Sequence, residues 1–282
     1  MHLIRGHDKL RLLRAQWSKS NQSVSLVPTM GSLHAGHQEL VRRARENSDR
    51  VVVSIFVNPL QFGSDADFGE YPRNLVLDQD LLQSMEVDAV YSPSVEGIYP
   101  EGLDMVPSIP AGRLGEILEG RSRPGHFSGM LTVVKRLFEQ VSPQLAVFGE
   151  KDAQQYFLID RMVADYKMPI KLLEVPTVRD ENGLALSSRN TFLSSTGRKV
   201  ARKITLAREL ARKAKNPVEA RIGARQVLDR NKGVTVDYVE IVDPDSFVPI
   251  ENENFTGFGR LVVAVVIDGV RLLDTELFEF GH

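Results

Sequence analysis

The sequence predicts an α/β protein: a doubly wound parallel sheet over residues 1–176, followed by a smaller C-terminal α+β domain over 177–282. Short apolar runs rich in Val, such as 24–27 and 51–57, are typical of buried parallel strands. Helically spaced segments separate these runs, so strand, helix and strand alternate as βαβ units. Beyond the first domain, helices precede strands, and Asp268-Gly269 indicates a tight hairpin. This alternation predicts a Rossmann-like fold with an appended small domain.

The elements of the first domain follow one another closely along the chain. Leu10, Leu13 and Trp17 recur at helical spacing. The segment 92–126 is rich in Pro and Gly and is typical of a functional cover rather than a core element. In chain order we predict a helix at 7–19, a strand ending at Val27, a helix from near His37 through Glu46, a strand at 51–57, a polar loop at 65–73, a helix at about 74–85 and a strand at 87–91.

The second half repeats the alternation and then changes character. An apolar stripe from Met130 to Val141 predicts a helix that Pro143 ends. Residues 196–232 hold twelve Lys and Arg against three Asp and Glu, which indicates a solvated face or a surface that attracts acidic ligands. We further predict strands at 145–148 and 170–175 around a helix ending near Lys167, two helices within 196–231 with the second starting at Asn216-Pro217, and strands at 238–241, 261–267 and 270–273.

Composition excludes several classes of function. A net charge of −2 gives no general reason to expect a nucleic-acid partner. The chain has no cysteine, so a disulfide, a thiol nucleophile and a Cys-ligated zinc are all excluded. Residues 1–9 are polar without a signal-peptide core, and no apolar run approaches the roughly 18 residues of a spanning helix. We therefore expect a cytoplasmic protein with no membrane or nucleic-acid partner.

The most informative stretch is residues 30–37, M-G-S-L-H-A-G-H, between a strand and a helix. Gly31 and Gly36 allow backbone to approach a ligand, and the helix N-terminus suits an anion such as phosphate. His34 and His37 are three residues apart and can face the same group. Neither the G-x-x-x-x-G-K-[ST] loop nor the G-x-G-x-x-G fingerprint is present in this turn. The alternative is that the two histidines only cap the helix.

Three further polar turns are candidates for the same chemistry. Asn58 and Gln61 follow the strand at 51–57, where they can also serve only as turn caps. Lys151 follows the strand at 145–148, where it can bind phosphate as a point charge, while Asp152 and Gln155 also match a capping box. The string 187–190, S-S-R-N, offers hydroxyls and a guanidinium for phosphate, although alone it indicates a turn.

These motifs together resemble a known family. H-x-G-H at 34–37 resembles the signature of the nucleotidyltransferase superfamily, and 184–190 resembles its K-M-S-K-S loop. The longer strings 30–37, 56–62, 118–127 and 149–155 resemble the pantoate–beta-alanine ligase family. The likeness extends to about residue 195 and is weaker beyond.

The resemblance implies the ATP-dependent condensation of pantoate with beta-alanine through a pantoyl adenylate, with release of AMP and pyrophosphate. It further implies Mg²⁺ and a homodimer. The implied catalytic residues are His34, His37, Lys151 and Arg189, and the implied substrate-binding residues are Asn58, Gln61 and Gln155. The implied ATP-binding residues are Met30, Gly31, Ser32, Leu33, His34, Ala35, Gly36, His37, Gly149, Glu150, Lys151, Asp152, Val178, Leu186, Ser187, Ser188 and Arg189.

Some alternatives stay open at this stage. Asp78 is a candidate Mg²⁺ ligand, but its place in a predicted helix also suits an exposed surface carboxylate. Arg121, Arg123 and His126 could close over phosphates or form an exposed basic loop. Another adenylyltransferase, for nicotinate mononucleotide or phosphopantetheine, would share His34 and His37 without needing Gln61 and Gln155. A non-catalytic regulator would bind ATP without turnover.

Overall fold

The computed structural model of the protein describes residues 1–63, 68, 69 and 71–281. The chain forms two compact units. The first comprises Met1–Phe148 and Leu158–Val175, and the second comprises Gly149–Phe157 and Pro176–His282. The predicted division into 1–176 and 177–282 stays a prediction; the second unit also includes the short segment after the fifth strand.

The first unit is organised around a six-stranded sheet in the order β1-β4-β3-β2-β5-β6. The pairs β1–β4, β4–β3, β3–β2 and β2–β5 are parallel. The strand order reverses between β2 and β5, and open α/β sheets bind ligands beyond the carboxyl ends of strands at such a reversal. The strands are His2–Ile4 (β1), Val24–Thr29 (β2), Arg50–Ile55 (β3), Ala89–Tyr91 (β4), Leu145–Gly149 (β5) and Lys171–Val175 (β6).

Helices lie between these strands as predicted, and the doubly wound α/β class is confirmed. The longest apolar stripe, over 126–141, is buried on nearly every turn. The Pro- and Gly-rich segment 92–126 contains two short helices and a 3-10 turn at Arg113–Gly115. Residues 65–67 and 70 of the predicted polar loop lie outside the described residues. The helices are His7–Lys19 (α1), Ala35–Asn47 (α2), Leu75–Ser84 (α3), Val95–Ile98 (α4), Glu119–Ser122 (α5), His126–Val141 (α6) and Ala153–Asp165 (α7).

Strand β1 was not predicted, because three residues are too short to show an alternating pattern. It forms by pairing in parallel with β4, and the His2 amide donates to the Asp88 carbonyl at 2.8 Å. Tertiary pairing therefore decides this element.

The second unit contains two long helices, Ser195–Arg212 and Pro217–Asp229, and an antiparallel sheet whose strands follow one another in chain order. Asn216 caps the second helix by accepting from the Glu219 amide at 2.9 Å, with Pro217 in the first turn, as predicted. Asp268 and Gly269 have φ of 54° and 77°, which confirms the predicted hairpin. The elements are Ser195–Arg212 (α8), Pro217–Asp229 (α9), Thr235–Val242 (β7), Gly257–Ile267 (β8) and Val270–Phe280 (β9).

Across the described part of the chain, no helix combines the length and the apolar character that a membrane crossing requires.

Candidate active site

Two histidines build the start of α2. The Nδ1 atom of His34 accepts a hydrogen bond from the Gly36 amide at 3.1 Å, and Nδ1 of His37 accepts from the His34 amide at 3.3 Å. The ring centroids lie 4.2 Å apart. Because Nδ1 is the acceptor in both rings, each neutral ring carries its proton on Nε2 and can donate it there. Both histidines therefore cap the helix, and capping orients both rings as Nε2–H donors; their predicted contact with ATP stays a prediction.

Asp78 is not an exposed helix carboxylate, and that alternative was wrong. Its side chain is buried, with Oδ2 accepting from the Ser32 amide at 2.9 Å and Oδ1 from the Leu33 amide at 2.8 Å. Gly31 has φ of +82°, and a Cβ there would lie 2.9 Å from Asp78 Oδ2. Asp78 thus anchors the loop before α2, because its side chain accepts hydrogen bonds from two backbone amides of that loop.

The structure does not build a metal cage around Asp78. Within residues 1–63, 68, 69 and 71–281, no group of three or more His, Asp or Glu side chains is placed to hold a metal ion. Each Asp78 oxygen accepts one amide hydrogen and keeps a further lone pair, so the predicted Mg²⁺ contact of Asp78 stays a prediction.

Asn58 and Gln61 are brought together by a 3-10 turn at Pro59–Gln61. Asn58 is fully buried; its Nδ2 donates to Gln61 Oε1 and to the Gly129 carbonyl, both at 3.0 Å. Its Oδ1 accepts from the Leu60 amide at 3.3 Å and from the Tyr99 hydroxyl at 2.8 Å. The side chain of Asn58 thus makes four hydrogen bonds within the protein. The predicted substrate contact of Asn58 stays a prediction.

The basic residues near 121–126 divide into two groups. Arg121 is exposed, whereas His126 is buried and its Nδ1 donates to the Gln61 carbonyl at 3.0 Å. Arg123 also donates to that carbonyl, at 3.4 Å, and to His126 Nε2 at 3.2 Å. Arg123 lies 3.6 Å from the buried carboxylate of Glu119. Arg123 and His126 therefore hold the turn that carries Gln61, which the sequence did not indicate.

In the second unit, a 3-10 turn at Glu150–Asp152 carries the predicted lysine. Glu150 Oε2 accepts from the amide and the hydroxyl of Thr177 at 3.1 and 3.3 Å, and Glu150 Oε1 lies 3.5 Å from Arg260. Lys151 Nζ lies 3.7 Å from Asp152 Oδ2. Within the described residues, Asp152 and Gln155 do not form the hydrogen bonds of a capping box. Glu150 thus anchors the turn, while Gln155 is half-buried in α7.

The S-S-R-N string forms a 3-10 turn at Ser188–Phe192, and Ser187 Oγ caps it by accepting from the Arg189 amide at 3.3 Å. The string therefore forms a turn, and its predicted contact with phosphate stays a prediction. The Leu186 amide donates to the Val178 carbonyl at 2.9 Å, so these two predicted ATP-binding residues are neighbours.

An ion pair that was not predicted holds the segment around Arg179, which precedes this turn in the chain. Arg179 Nη1 donates to Asp274 Oδ2 at 2.8 Å, and Arg179 Nη2 donates to the Thr275 carbonyl at 3.0 Å. Burial raises the pKa of Asp274, and the nearby Arg179 opposes that rise. The predicted strand ended at residue 273, one position before Asp274, so the sequence did not place this carboxylate in a buried strand.

Tyr99 was also missed. It lies at the end of α4, buried against Phe56 with ring centroids 6.3 Å apart. Burial raises the pKa of Tyr99 above its usual range. A tyrosine hydroxyl is already a proton donor at neutral pH at its ordinary pKa. Nothing in its Pro- and Gly-rich neighbourhood indicates a partner 41 residues away.

Comparison with known proteins tests the predicted family. A family model described as pantoate-beta-alanine ligase matches residues 2–277. A pantothenate synthetase from Sinorhizobium medicae is 47% identical over 283 residues, with 98% of this chain and 96% of the relative covered. One from Hydrogenovibrio crunogenus is 43% identical over 285 residues, with 98% and 99% covered.

Solved structures agree with this match. The pantothenate synthetase of Thermus thermophilus superposes with a TM-score of 0.90 at 41% identity, covering 98% of this chain and 99% of that one. The pantoate-beta-alanine ligase of Francisella tularensis, solved in complex with beta-gamma ATP and beta-alanine, superposes with a TM-score of 0.80 at 37% identity, covering 98% and 97%. The chain belongs to the pantoate-beta-alanine ligase family.

Proposed function

We propose how the residues of this chain serve the reaction of its family, the ATP-dependent condensation of pantoate with beta-alanine. The chain is an amide-forming ligase in which pantoate is activated as pantoyl adenylate, with AMP and pyrophosphate released. The family match over residues 2–277 is the observation that carries this function.

The chemical difficulty of the first step is to bring two anions together. Pantoate's carboxylate is already ionised at neutral pH, so no base is needed to generate the nucleophile. We assign His34 and His37 as Nε2–H donors to phosphate oxygens, because their Nδ1 atoms are held by backbone amides. Preorganised donors stabilise charge that develops in the transition state without reorganising.

In the second unit, we assign Lys151 and Arg189 to phosphate groups of ATP. An ammonium binds phosphate as a point charge, while a guanidinium can bind two oxygens at once. Glu150 and Ser187 are assigned to hold the turns that carry these cations, since their oxygens accept from Thr177 and from the Arg189 amide. The other proposed ATP contacts are Met30, Gly31, Ser32, Leu33, Ala35, Gly36, Gly149, Asp152, Val178, Leu186 and Ser188. The amides of Ser32, Leu33 and Gly36 already donate within the protein, so these three residues are proposed to contact ATP through other atoms.

We assign pantoate to Gln61 and Gln155, neutral amides that bind hydroxyl and carboxylate oxygens without adding charge. Asn58 is assigned an indirect role, because its hydrogen bonds are made within the protein and one of them holds Gln61. The adenylate is a mixed anhydride, and the enzyme must exclude water until the amine of beta-alanine attacks.

Magnesium is proposed to arrive with ATP. Mg²⁺ keeps several water ligands and is commonly bound by substrate phosphates with few protein carboxylates. This suits a site in which Asp78 is engaged by the Ser32 and Leu33 amides. The roles assigned to the side chains do not depend on the ion.

Asp78→Asn tests whether this residue anchors the loop or binds metal. An Asn side chain has one acceptor oxygen, so one backbone amide loses its partner at a cost of about 1–3 kcal/mol in unfolding free energy. We expect the KM for ATP to rise about 10-fold at every Mg²⁺ concentration, since a tenfold change corresponds to about 1.4 kcal/mol. Titration of ATP at several fixed Mg²⁺ concentrations gives the result.

The matched control is Asp80→Asn, an exposed carboxylate on the same helix, which should leave both quantities unchanged. Restoration of the Asp78→Asn variant by excess Mg²⁺ would instead assign Asp78 as a metal ligand.

We also propose that the chain acts in the cytoplasm as a homodimer. The absence of cysteine and the family membership support this proposal. Sedimentation equilibrium of the purified protein tests the dimer.

The reaction is tested with pantoate labelled by heavy oxygen in its carboxylate. Attack on the α-phosphate leaves one labelled oxygen on AMP after the amide forms. We expect label in AMP, and exchange of labelled pyrophosphate into ATP when pantoate is present and beta-alanine absent. Label in inorganic phosphate with ADP as product would place the attack at the γ-phosphate, and ATP binding without turnover would indicate a regulator.

A further inference from the structure

A buried chain of hydrogen bonds leads from Tyr99 through Asn58 to Gln61. The three residues are 1%, 0% and 8% exposed, and the two side-chain contacts are 2.8 and 3.0 Å long. Hydrogen bonds inside a protein are costly to leave unmade, so each member of such a chain constrains the next.

Two backbone groups decide which way the Asn58 amide points. The Leu60 amide can only donate and the Gly129 carbonyl can only accept. Asn58 Oδ1 therefore faces Leu60, and Nδ2 faces Gly129. Since the same Nδ2 also donates to Gln61, the oxygen of the Gln61 amide must face Asn58.

The consequence lies at the other end of the Gln61 amide. Its Nε2 makes no hydrogen bond to the described residues, so both N–H groups can be donated to a ligand. The Gln61 NH2 therefore presents only hydrogen-bond donors, which suit a ligand oxygen that accepts hydrogen bonds.

Tyr99 supplies the shorter of the two bonds to Asn58 Oδ1, 2.8 Å against 3.3 Å from the Leu60 amide. The Leu60 amide and the Gly129 carbonyl fix which side of the Asn58 amide carries the oxygen, while the Tyr99 hydroxyl holds the side chain in place. Without the Tyr99 hydroxyl, the Asn58 amide keeps its orientation but loses its shortest hydrogen bond. Gln61 then hydrogen-bonds to a side chain that is held less rigidly.

We propose that Tyr99 is a positioning residue for pantoate, which acts through Asn58 to hold the Gln61 NH2 toward an oxygen of the substrate. This proposal rests on the proposed function, in which Gln61 binds pantoate. Tyr99 itself is buried and does not contact the substrate in this account.

A double-mutant cycle between Tyr99 and Gln61 tests the proposal by steady-state kinetics. Tyr99→Phe should raise the KM for pantoate about 5-fold, the usual size of one lost hydrogen bond, with the KM for ATP unchanged. In the Gln61→Ala background, the same substitution should have no further effect on pantoate, because a residue that acts only through a partner loses its effect with that partner.

The matched control is Tyr91→Phe. Tyr91 is equally buried and its hydroxyl donates to Gln140 Oε1 at 2.6 Å, but that bond does not lead to Gln61. We expect this variant to bind pantoate normally. Thermal unfolding of each variant verifies that all of them fold.

The outcomes separate the proposal from its foundation. If Gln61→Ala leaves the KM for pantoate unchanged, the role proposed for Gln61 is wrong. If Gln61→Ala raises that KM while Tyr99→Phe does not, only the positioning role fails. An equal effect of Tyr99→Phe in both backgrounds, or an equal effect of Tyr91→Phe, also overturns the positioning role.

Discussion

Replacement of His37 by Ala is expected to lower the rate of adenylate formation by about 100-fold, since removal of one preorganised donor to transition-state charge commonly costs that much. The rate is measured as exchange of labelled pyrophosphate into ATP, with pantoate present and beta-alanine absent, which isolates the first half-reaction. The same substitution removes the acceptor for the His34 amide, and loss of a helix cap costs about 1 kcal/mol of unfolding free energy.

His37→Glu separates the two effects. A Glu at this position of the helix forms an ordinary capping box, so it keeps the acceptor for the His34 amide. It offers no donor and adds a negative charge near the phosphates. We expect near-normal stability with an exchange rate at least as low as that of His37→Ala. A Glu variant with near-normal exchange would mean that His37 only caps the helix.

Replacement of Gly129 by Ala is expected to have the largest effect on stability. A Cβ on Gly129 would lie 2.0 Å from the carbonyl oxygen of Leu60 and 2.5 Å from its carbon, both backbone atoms. The turn that carries Gln61 must therefore move, and overpacking of this kind costs about 3 kcal/mol of unfolding free energy. We expect the KM for pantoate to rise more than about 10-fold, since about 1.4 kcal/mol gives a tenfold change. Denaturant unfolding and pantoate titration measure the two effects.

Gly223→Ala is the matched control, because Gly223 also lies inside a helix but a Cβ there meets nothing within 4 Å. Helix propensity alone predicts that both substitutions stabilise by about 0.5–1 kcal/mol. Stabilisation at Gly223 with destabilisation at Gly129 would confirm the close approach. Stabilisation at both would show that the Leu60 turn moves without cost.

Much of the fold was predictable because its signals are local. Val51 to Ile55 are apolar on nearly every position, which is typical of a strand buried on both faces. Asn216 and Pro217 marked a helix start through chemistry that acts within a few residues. Strand β1 was missed because its three residues become a strand only by pairing with β4.

The site was predictable in part, for the same reason. The spacing of His34 and His37 at a strand-to-helix turn indicated an anion site, and the two side chains do lie together. That backbone amides use their Nδ1 atoms was not predictable, since hydrogen-bond partners depend on rotamers. His126, for which contact with phosphates and an exposed loop were both open, is buried and donates to the Gln61 carbonyl from 65 residues away.

Residue order alone therefore predicted the α/β class, because its signals lie within one or two elements, while the motif strings supplied the resemblance that predicted the family and the residues for phosphate and pantoate. Only the tertiary structure decided which polar atoms hydrogen-bond within the protein. Asp78 reaches the Ser32 amide across 46 residues of sequence, and Tyr99 reaches Asn58 across 41. Such contacts form because buried polar groups must find partners wherever the fold brings them, and no local pattern records that choice.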